Sequence, residues 1–408
     1  MTKQEFISEL KRRLSGLSKE DLDKAAEYYG EAIDDCMEEG ISEEEAVAAV
    51  GPLEEAVRTI LEEIPQASSP RISGKPMPDF AWFKQSGKNA SAHESTYEAT
   101  EPFTGLKVTA GPCDVRLYPA KDQKVRIVHR QDLEGARCRV AVEKGILCIE
   151  RQSPIKLPAV VRHTPALEIY LPQSRYDSLE VHTASGDVNL PSDFTFGTLS
   201  VNTASGDVSV FSGVEGDAAL ETASGDMEIK KLQVRGSFRL KAASGDIETK
   251  NLQVQGTFRT ETSSGDIRFE TVDAGEGLYC KSGSGDMTLI KLRTMDLTAS
   301  ASSGDVRLDT VSVKGKLALS TASGNMDLET CLAGSMKLHT ASGDMELEDC
   351  DAESLHLDTV SGDIEGRLRT GKDFSAASAS GSIRIPPSTE GGKCILRTLS
   401  GDIRMTVG

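Results

Sequence analysis

Three kinds of side chain in this 408-residue sequence have the chemistry to build a site: the aspartates of a recurring Ser-Gly-Asp tripeptide, six histidines and eight cysteines. The tripeptide is the most frequent. Its serines are Ser185, Ser205, Ser224, Ser244, Ser264, Ser284, Ser303, Ser323, Ser342, Ser361, Ser380 and Ser400, in steps of 19 or 20 residues. Its third position is Asp in ten copies, and Asn325 and Ser382 in the other two. Stacked carboxylates could hold calcium, as nonapeptide β-rolls do. Calcium needs about six or more oxygens, whereas each copy supplies one carboxylate, and Asn and Ser keep an acceptor while dropping the charge. An Asx-type turn, in which the side chain caps its own backbone, accounts for all three residue types. No metal site is expected. Nor is the serine a nucleophile elbow, because catalysis needs one site unlike its surroundings.

The histidines His93, His129, His163, His182, His339 and His356 form no H-x-H or H-E-x-x-H cluster. They are expected at the solvated surface, with His182, His339 and His356 at outward strand positions. The cysteines Cys36, Cys113, Cys138, Cys148, Cys280, Cys331, Cys350 and Cys394 show neither C-x-x-C pairing nor zinc spacing, so free thiols are expected. Cys331 and Cys350 lie eight residues after successive serines, in a column otherwise Leu and Val. They read as small core hydrophobes, although stacked neighbours are close enough for a disulfide. Acidic residues such as Glu346 and Glu365 sit singly rather than as the pair that cleaves glycosides. No enzyme activity, catalytic residue or cofactor is expected.

The elements that carry these residues follow from the same columns. Three positions after each serine stands Val, Ile or Met in all twelve copies, followed by a polar residue. Six positions before it the column is again apolar, and two before it is Thr in eight copies. This is a period-2 strand on each side of a corner. The glycine of the corner is invariant within the copies, which suits positive φ or close backbone approach. Residues 179–408 are therefore predicted to be a parallel β-solenoid of twelve 19–20-residue coils, right-handed by the rule for parallel crossovers. At roughly 4.8 Å per coil the rod would run about 55–60 Å.

Upstream, residues 96–178 alternate apolar and polar with less regularity and are predicted to be the irregular β region that caps the first edge. Residues 65–95, with Pro65, Pro70, Pro76 and Pro78, read as a flexible linker. Within it Phe80, Trp82 and Phe83 are candidate partner-docking anchors; the competing expectation lays them against the side of the solenoid. The chain stops at Ile403-Arg404-Met405-Thr406-Val407 with no evident cap, so Ile403 and Met405 mark a candidate association edge.

Residues 1–64 read as a three-helix domain. Thr2 with Glu5, Ser18 with Asp21, and Ser42 with Glu45 mark its helix starts, and the Gly51-Pro52 pair breaks or kinks the third segment. The strings Lys3-Gln4-Glu5-Phe6, Glu39-Gly40-Ile41-Ser42-Glu43-Glu44-Glu45-Ala46 and Val50-Gly51-Pro52-Leu53-Glu54-Glu55-Ala56 resemble the helical HAAS-type signalling domain of Gram-positive bacteria. That resemblance implies a protein-interaction role. From about residue 100 onward the repeated Thr/Ala-Ser-Gly-Asp, preceded by Leu171-Pro172 and Leu179-Glu180-Val181, resembles the bacterial putative-adhesin β-solenoid family. Members often carry a helical or membrane-spanning N-terminus, some are linked to envelope stress, and no catalytic residues transfer from them.

Residues 1–64 hold 7 Lys/Arg against 18 Asp/Glu, a net of −11 out of −18 for the chain. A general nucleic-acid binder would show a basic footprint instead. No run of about 18 apolar residues and no signal-peptide core is present, so a cytoplasmic default is expected, with envelope association open. These features point to a non-enzymatic scaffold. Its partners would be proteins met through residues 1–64, with self-association through the C-terminal edge, and its setting envelope-stress signalling or adhesion. The alternative is a solenoid that binds or cleaves carbohydrate.

Overall fold

The computed structural model describes residues 2–14, the single positions 26, 33 and 43, and residues 94–99, 101–122, 124–130, 137–152 and 165–408. Positions 2–43 of that set belong to one unit and residues 94–408 to another. In the first unit, helix α1 (Lys3–Arg13) starts on a capping box. The Glu5 N–H donates to Thr2 Oγ1 at 3.3 Å, and the Thr2 N–H donates to the Glu5 carboxylate at 3.0 Å. Phe6, Leu10 and Leu14 are buried, as are Ala26 and Ile33. Lys11, Arg12 and Arg13 in the last turn complement the helix dipole. The second and third helices predicted from the sequence otherwise fall outside the described residues. Among those residues, no helix is long and apolar enough to cross a membrane.

In the second unit, alternating strands close into stacked coils. Around Ser205, strand Thr195–Thr203 turns Phe196, Leu199 and Val201 inward, the Ser-Gly-Asp corner follows, and Val208 and Val210 continue the buried face. That strand pairs in parallel with both neighbours, Leu199 facing Leu179 and Ala218. The register steps by one repeat, so like stacks on like: the rings of Phe238 and Phe258 lie 5.4 Å apart. Seven consecutive coils also turn at a second corner, where Lys231, Asn251, Thr271, Lys291, Thr310, Thr330 and Asp349 take φ of 54–61°. Positive φ at a β-branched threonine is strained, and the closed ring of the coil imposes it. The following column, from Leu232 to Cys350, is buried behind this turn.

Regular coils begin earlier in the chain than the first Ser-Gly-Asp. The strands there are β1 (Glu94–Ala99), β2 (Gly105–Gly111), β3 (Asp114–Pro119), β4 (Val125–Arg130), β5 (Arg137–Glu143), β6 (Ile146–Gln152), β7 (Ala166–Leu171), β8 (Arg175–Thr183) and β9 (Val188–Leu190). Strands β2 and β3 form a coil whose corner reads Gly111-Pro112-Cys113-Asp114. It is paired in parallel with β8 and β9 on one side and with β6 and β7 on the other. Beyond β6 and β7 the strands run antiparallel: β5 on β6, β4 on β7, and β1 on β4. The parallel stack thus gives way to antiparallel strands at this end.

At the other end the spatial order departs from the sequence order. Strand Lys393–Ser400 lies between Met345–Ser361 and Asp373–Ser380, and Ile403–Val407 lies between Ile364–Leu368 and Ile383–Arg384. The last coil in the chain is thus inserted under the one before it. The expectation of an open edge at Ile403 and Met405 is corrected accordingly: both are buried, and their strand is paired on both sides.

Candidate functional site

The corner aspartates act between coils. The Asp187 carboxylate accepts the backbone N–H of Asp207 at 3.0 Å, and Asp207 accepts that of Asp226 at 2.8 Å. The relay continues through Asp246, Asp266, Asp286, Asp305, Asn325, Asp344 and Asp363 at 2.7–3.0 Å. It starts on Asp114, which accepts the Asp187 N–H at 3.0 Å. It ends as Asp363 accepts from Asp402 and Asp402 from Ser382. The own-backbone Asx turn expected from the sequence is therefore replaced by a ladder that bonds each coil to the next. Asn325 keeps the acceptor oxygen, and Ser382, in the last coil in space, has no further N–H to receive.

The rest of the corner follows from close stacking. Thr262 Oγ1 accepts the Gly265 N–H at 3.0 Å and donates to the carbonyl of Gly245 in the coil below at 3.3 Å. A Cβ on Gly265 would stand 2.0 Å from that same carbonyl oxygen. The glycines of the Ser-Gly-Asp corners are not among those with positive φ, so close approach, not φ, requires them. One oxygen of each ladder carboxylate is committed to a backbone N–H. No group of three or more His, Cys, Asp or Glu side chains placed to hold a metal occurs among the described residues.

A second polar assembly lies inside the N-terminal cap. Arg151 Nε donates to His129 Nε2 at 3.1 Å, and both side chains are buried. Burial, then the neighbouring guanidinium, lowers the His129 pKa to about 4, so the ring is neutral and accepts. Among the described residues, Arg151 Nη1 and His129 Nδ1 have no hydrogen-bond partner. Cys113 and Cys138 lie in the same core, and burial pushes both thiols up to about 12. Thiols so shifted are poor nucleophiles at neutral pH. The expectation of a surface His129 is corrected: strand alternation places it on the inner face of β4, beside Ile127 of the core. One signal in the sequence pointed to this coil, Asp114-Val115-Arg116-Leu117 matching Asp187-Val188-Asn189-Leu190.

These coils match the family described as Toastrack DUF4097, over residues 104–316, 255–334 and 291–408. The chain belongs to the Toastrack DUF4097 family. Residues 5–59 match the HAAS family. No curated protein matches the sequence. Among solved structures, the chain is similar to one described as a putative adhesin from Bacteroides fragilis. Identity is 14%, with 78% of this chain and 100% of that one covered, at a TM-score of 0.29. A putative lipid binding protein from Parabacteroides distasonis gives 14%, 77%, 97% and 0.30. A putative cell adhesion protein from Clostridium sporogenes gives 8%, 77%, 99% and 0.18.

In the Toastrack coils, Cys331 and Cys350 are free, buried and stacked in their apolar column. Contact with Cys350 and burial raise the Cys331 thiol. His182 is half-buried beside Glu180 at 2.7 Å, and His339 is exposed. Phe80, Trp82 and Phe83 fall outside the described residues. An open cleft of about 570 Å³ lies where the cap meets the first coils, beside Glu98, Glu101, Phe103 and Lys124. Phe103 stacks on Tyr176 at 5.9 Å.

Proposed function

We propose that this Toastrack protein is a non-enzymatic interaction scaffold: residues 1–64 form a protein-binding module, residues 65–95 a tether, and the solenoid a rigid surface. The observation that carries this is the state of the repeated polar groups. Every ladder carboxylate from Asp114 to Asp402 is bonded to a neighbouring coil's backbone. His129 is neutral, and the thiols of Cys113 and Cys138 in the same core are held protonated. Among these groups no nucleophile–base pair is poised near neutrality, as acid–base or covalent catalysis requires. The acidic charge of residues 1–64 and their match to HAAS over residues 5–59 support a partner-binding role, which we place in envelope-stress signalling or adhesion. Affinity capture with the full chain and with a variant lacking residues 1–64 tests it. A partner retained by the first and lost by the second is expected; identical captures, or none, would overturn the role assigned to residues 1–64. A second reading, carbohydrate binding, is favoured by the cleft, whose carboxylates and ring at Glu98, Glu101 and Phe103 suit sugar hydroxyls and a sugar face. Glycan binding abolished by Phe103→Ala would establish it.

A further inference from the structure

One face of the solenoid leaves two lysines unpaired around an open aromatic ring. It is formed by the strands that precede the Ser-Gly-Asp corners. There successive coils set Arg259, Tyr279, Thr298, Ala318 and Lys337 in one outward column, and Glu261, Lys281, Ser300, Ser320 and His339 in the next. We propose that this face binds an acidic saccharide, a sugar ring bearing a carboxylate or phosphate, laid against Tyr279. The site goes beyond both readings above, since it uses neither residues 1–64 nor the cleft at Phe103.

Three observations support it. The first is shape. Tyr279 is 41% exposed, and the Arg259 guanidinium of the preceding coil lies 5.2 Å from the centre of its ring, a cation–π contact that covers one ring face. The following coils offer only Thr298, Ser300, Ala318 and Ser320 on this face, so the other side of the ring looks over a floor of hydroxyls and methyl groups. Lys337 and His339 bound that floor at roughly 14 Å from Tyr279, three steps of the strand spacing. A sugar has an apolar ring face for the tyrosine and hydroxyls for the floor. The second observation is charge. Lys281 and Lys337 make no ion pair among the described residues, and the carboxylates of the adjoining positions are engaged: Glu261 lies 3.9 Å from Arg259, Asp296 accepts the Lys316 N–H at 2.7 Å, and Asp358 lies 2.9 Å from His356. On the face that follows the corners, by contrast, Lys250 pairs with Glu270 at 2.7 Å and Arg307 with Asp327 at 3.7 Å. Unpaired lysines beside a ring favour an anionic ligand. The third is the backbone. Each strand of this face pairs on both sides, so it has no open edge to which a peptide strand could add. Recognition is left to side chains, which suits a sugar better than an acidic peptide.

The test is calorimetric titration of the full chain with an oligomer of glucuronic acid, a phosphate-bearing sugar oligomer, an uncharged glucose oligomer and poly-glutamate. Binding of one or both acidic sugars is expected, the pair telling carboxylate from phosphate, with the glucose oligomer and poly-glutamate at least about tenfold weaker. Tyr279→Ala should weaken binding about tenfold, whereas Tyr279→Phe, which keeps the ring, should leave it unchanged. Lys281→Ala and Lys337→Ala should each weaken it about threefold and flatten its salt dependence. These side chains are exposed, so far-UV circular dichroism should be the same in every variant. Absence of binding by both acidic sugars up to about 1 mM would overturn the inference. So would poly-glutamate binding as tightly as the sugars, or sugar binding that survives Tyr279→Ala; if Phe103→Ala abolishes it instead, the cleft is the site.

Discussion

At the corner, the aspartate stabilises its neighbour rather than itself. Asp266 accepts the N–H of Asp286 at 2.9 Å, and the only property this requires is an acceptor oxygen of the right reach. Asp266→Asn should therefore leave stability within about 0.5 kcal/mol, as Asn325 already stands in the column. Asp266→Ala removes the acceptor and should cost about 1 kcal/mol. Hydrogen exchange at the Asp286 amide distinguishes them: faster in the alanine variant, unchanged in the asparagine variant. Equal protection in both would mean that the ladder bond contributes nothing. The residue type was legible in the sequence, but its partner was not. An Asx turn and an inter-coil ladder demand the same side chains, and only the stacking distance decides which N–H the oxygen reaches.

Among the elements, the N-terminal cap carries the clearest pH dependence. His129 titrates near 6.5 when unfolded and about 4 when buried beside Arg151. The unfolded chain binds the proton more readily between these values, so the contribution is complete above pH 6.5 and is lost as pH falls toward 4. The shift corresponds to at most about 3 kcal/mol. Amides of β4 and β6 should exchange progressively faster as pH is lowered through this window, after correction for intrinsic exchange. His129→Gln, which keeps an acceptor for Arg151 and cannot be protonated, should abolish the trend. An unchanged trend in that variant would assign it to another group. Sequence alternation identified these strands but not their neighbours. Strand β5 joins β6 through the local Lys144-Gly145 hairpin, but β4 meets β7 through long-range pairing, and nothing within the residues of β4 records which edge it meets.

For the whole molecule, the consequence of the transposed coil is that the strand Ile403–Val407 lies between two others. Ile403 is fully buried in a strand flanked on both sides. Ile403→Lys would place a charge in the core of the last three coils and should destabilise them by several kcal/mol. Thermal unfolding followed by circular dichroism should show a lowered or split transition, since coils interact chiefly with nearest neighbours. A melting curve superimposable on the wild type would contradict the inserted order. The same substitution on an open edge would instead have changed association and left stability nearly unchanged.

The sequence alone determined the period, the corner, the inward columns and the strand on each side, because each is a local pattern repeated often enough to be read in register. It also placed Phe6 and Leu10 on the buried face of α1, whose capping box is written in Thr2 and Glu5. The tertiary structure decided the order of coils at both ends, the pairing of the coil built on Gly111 and Asp114, and the second corner with its positive φ at Thr271, Thr310 and Thr330. The physical reason is common to all three. Backbone edges of successive coils are chemically alike, so which pair meets is set by closure of the ring and by competition among similar edges, not by the side chains of any one repeat.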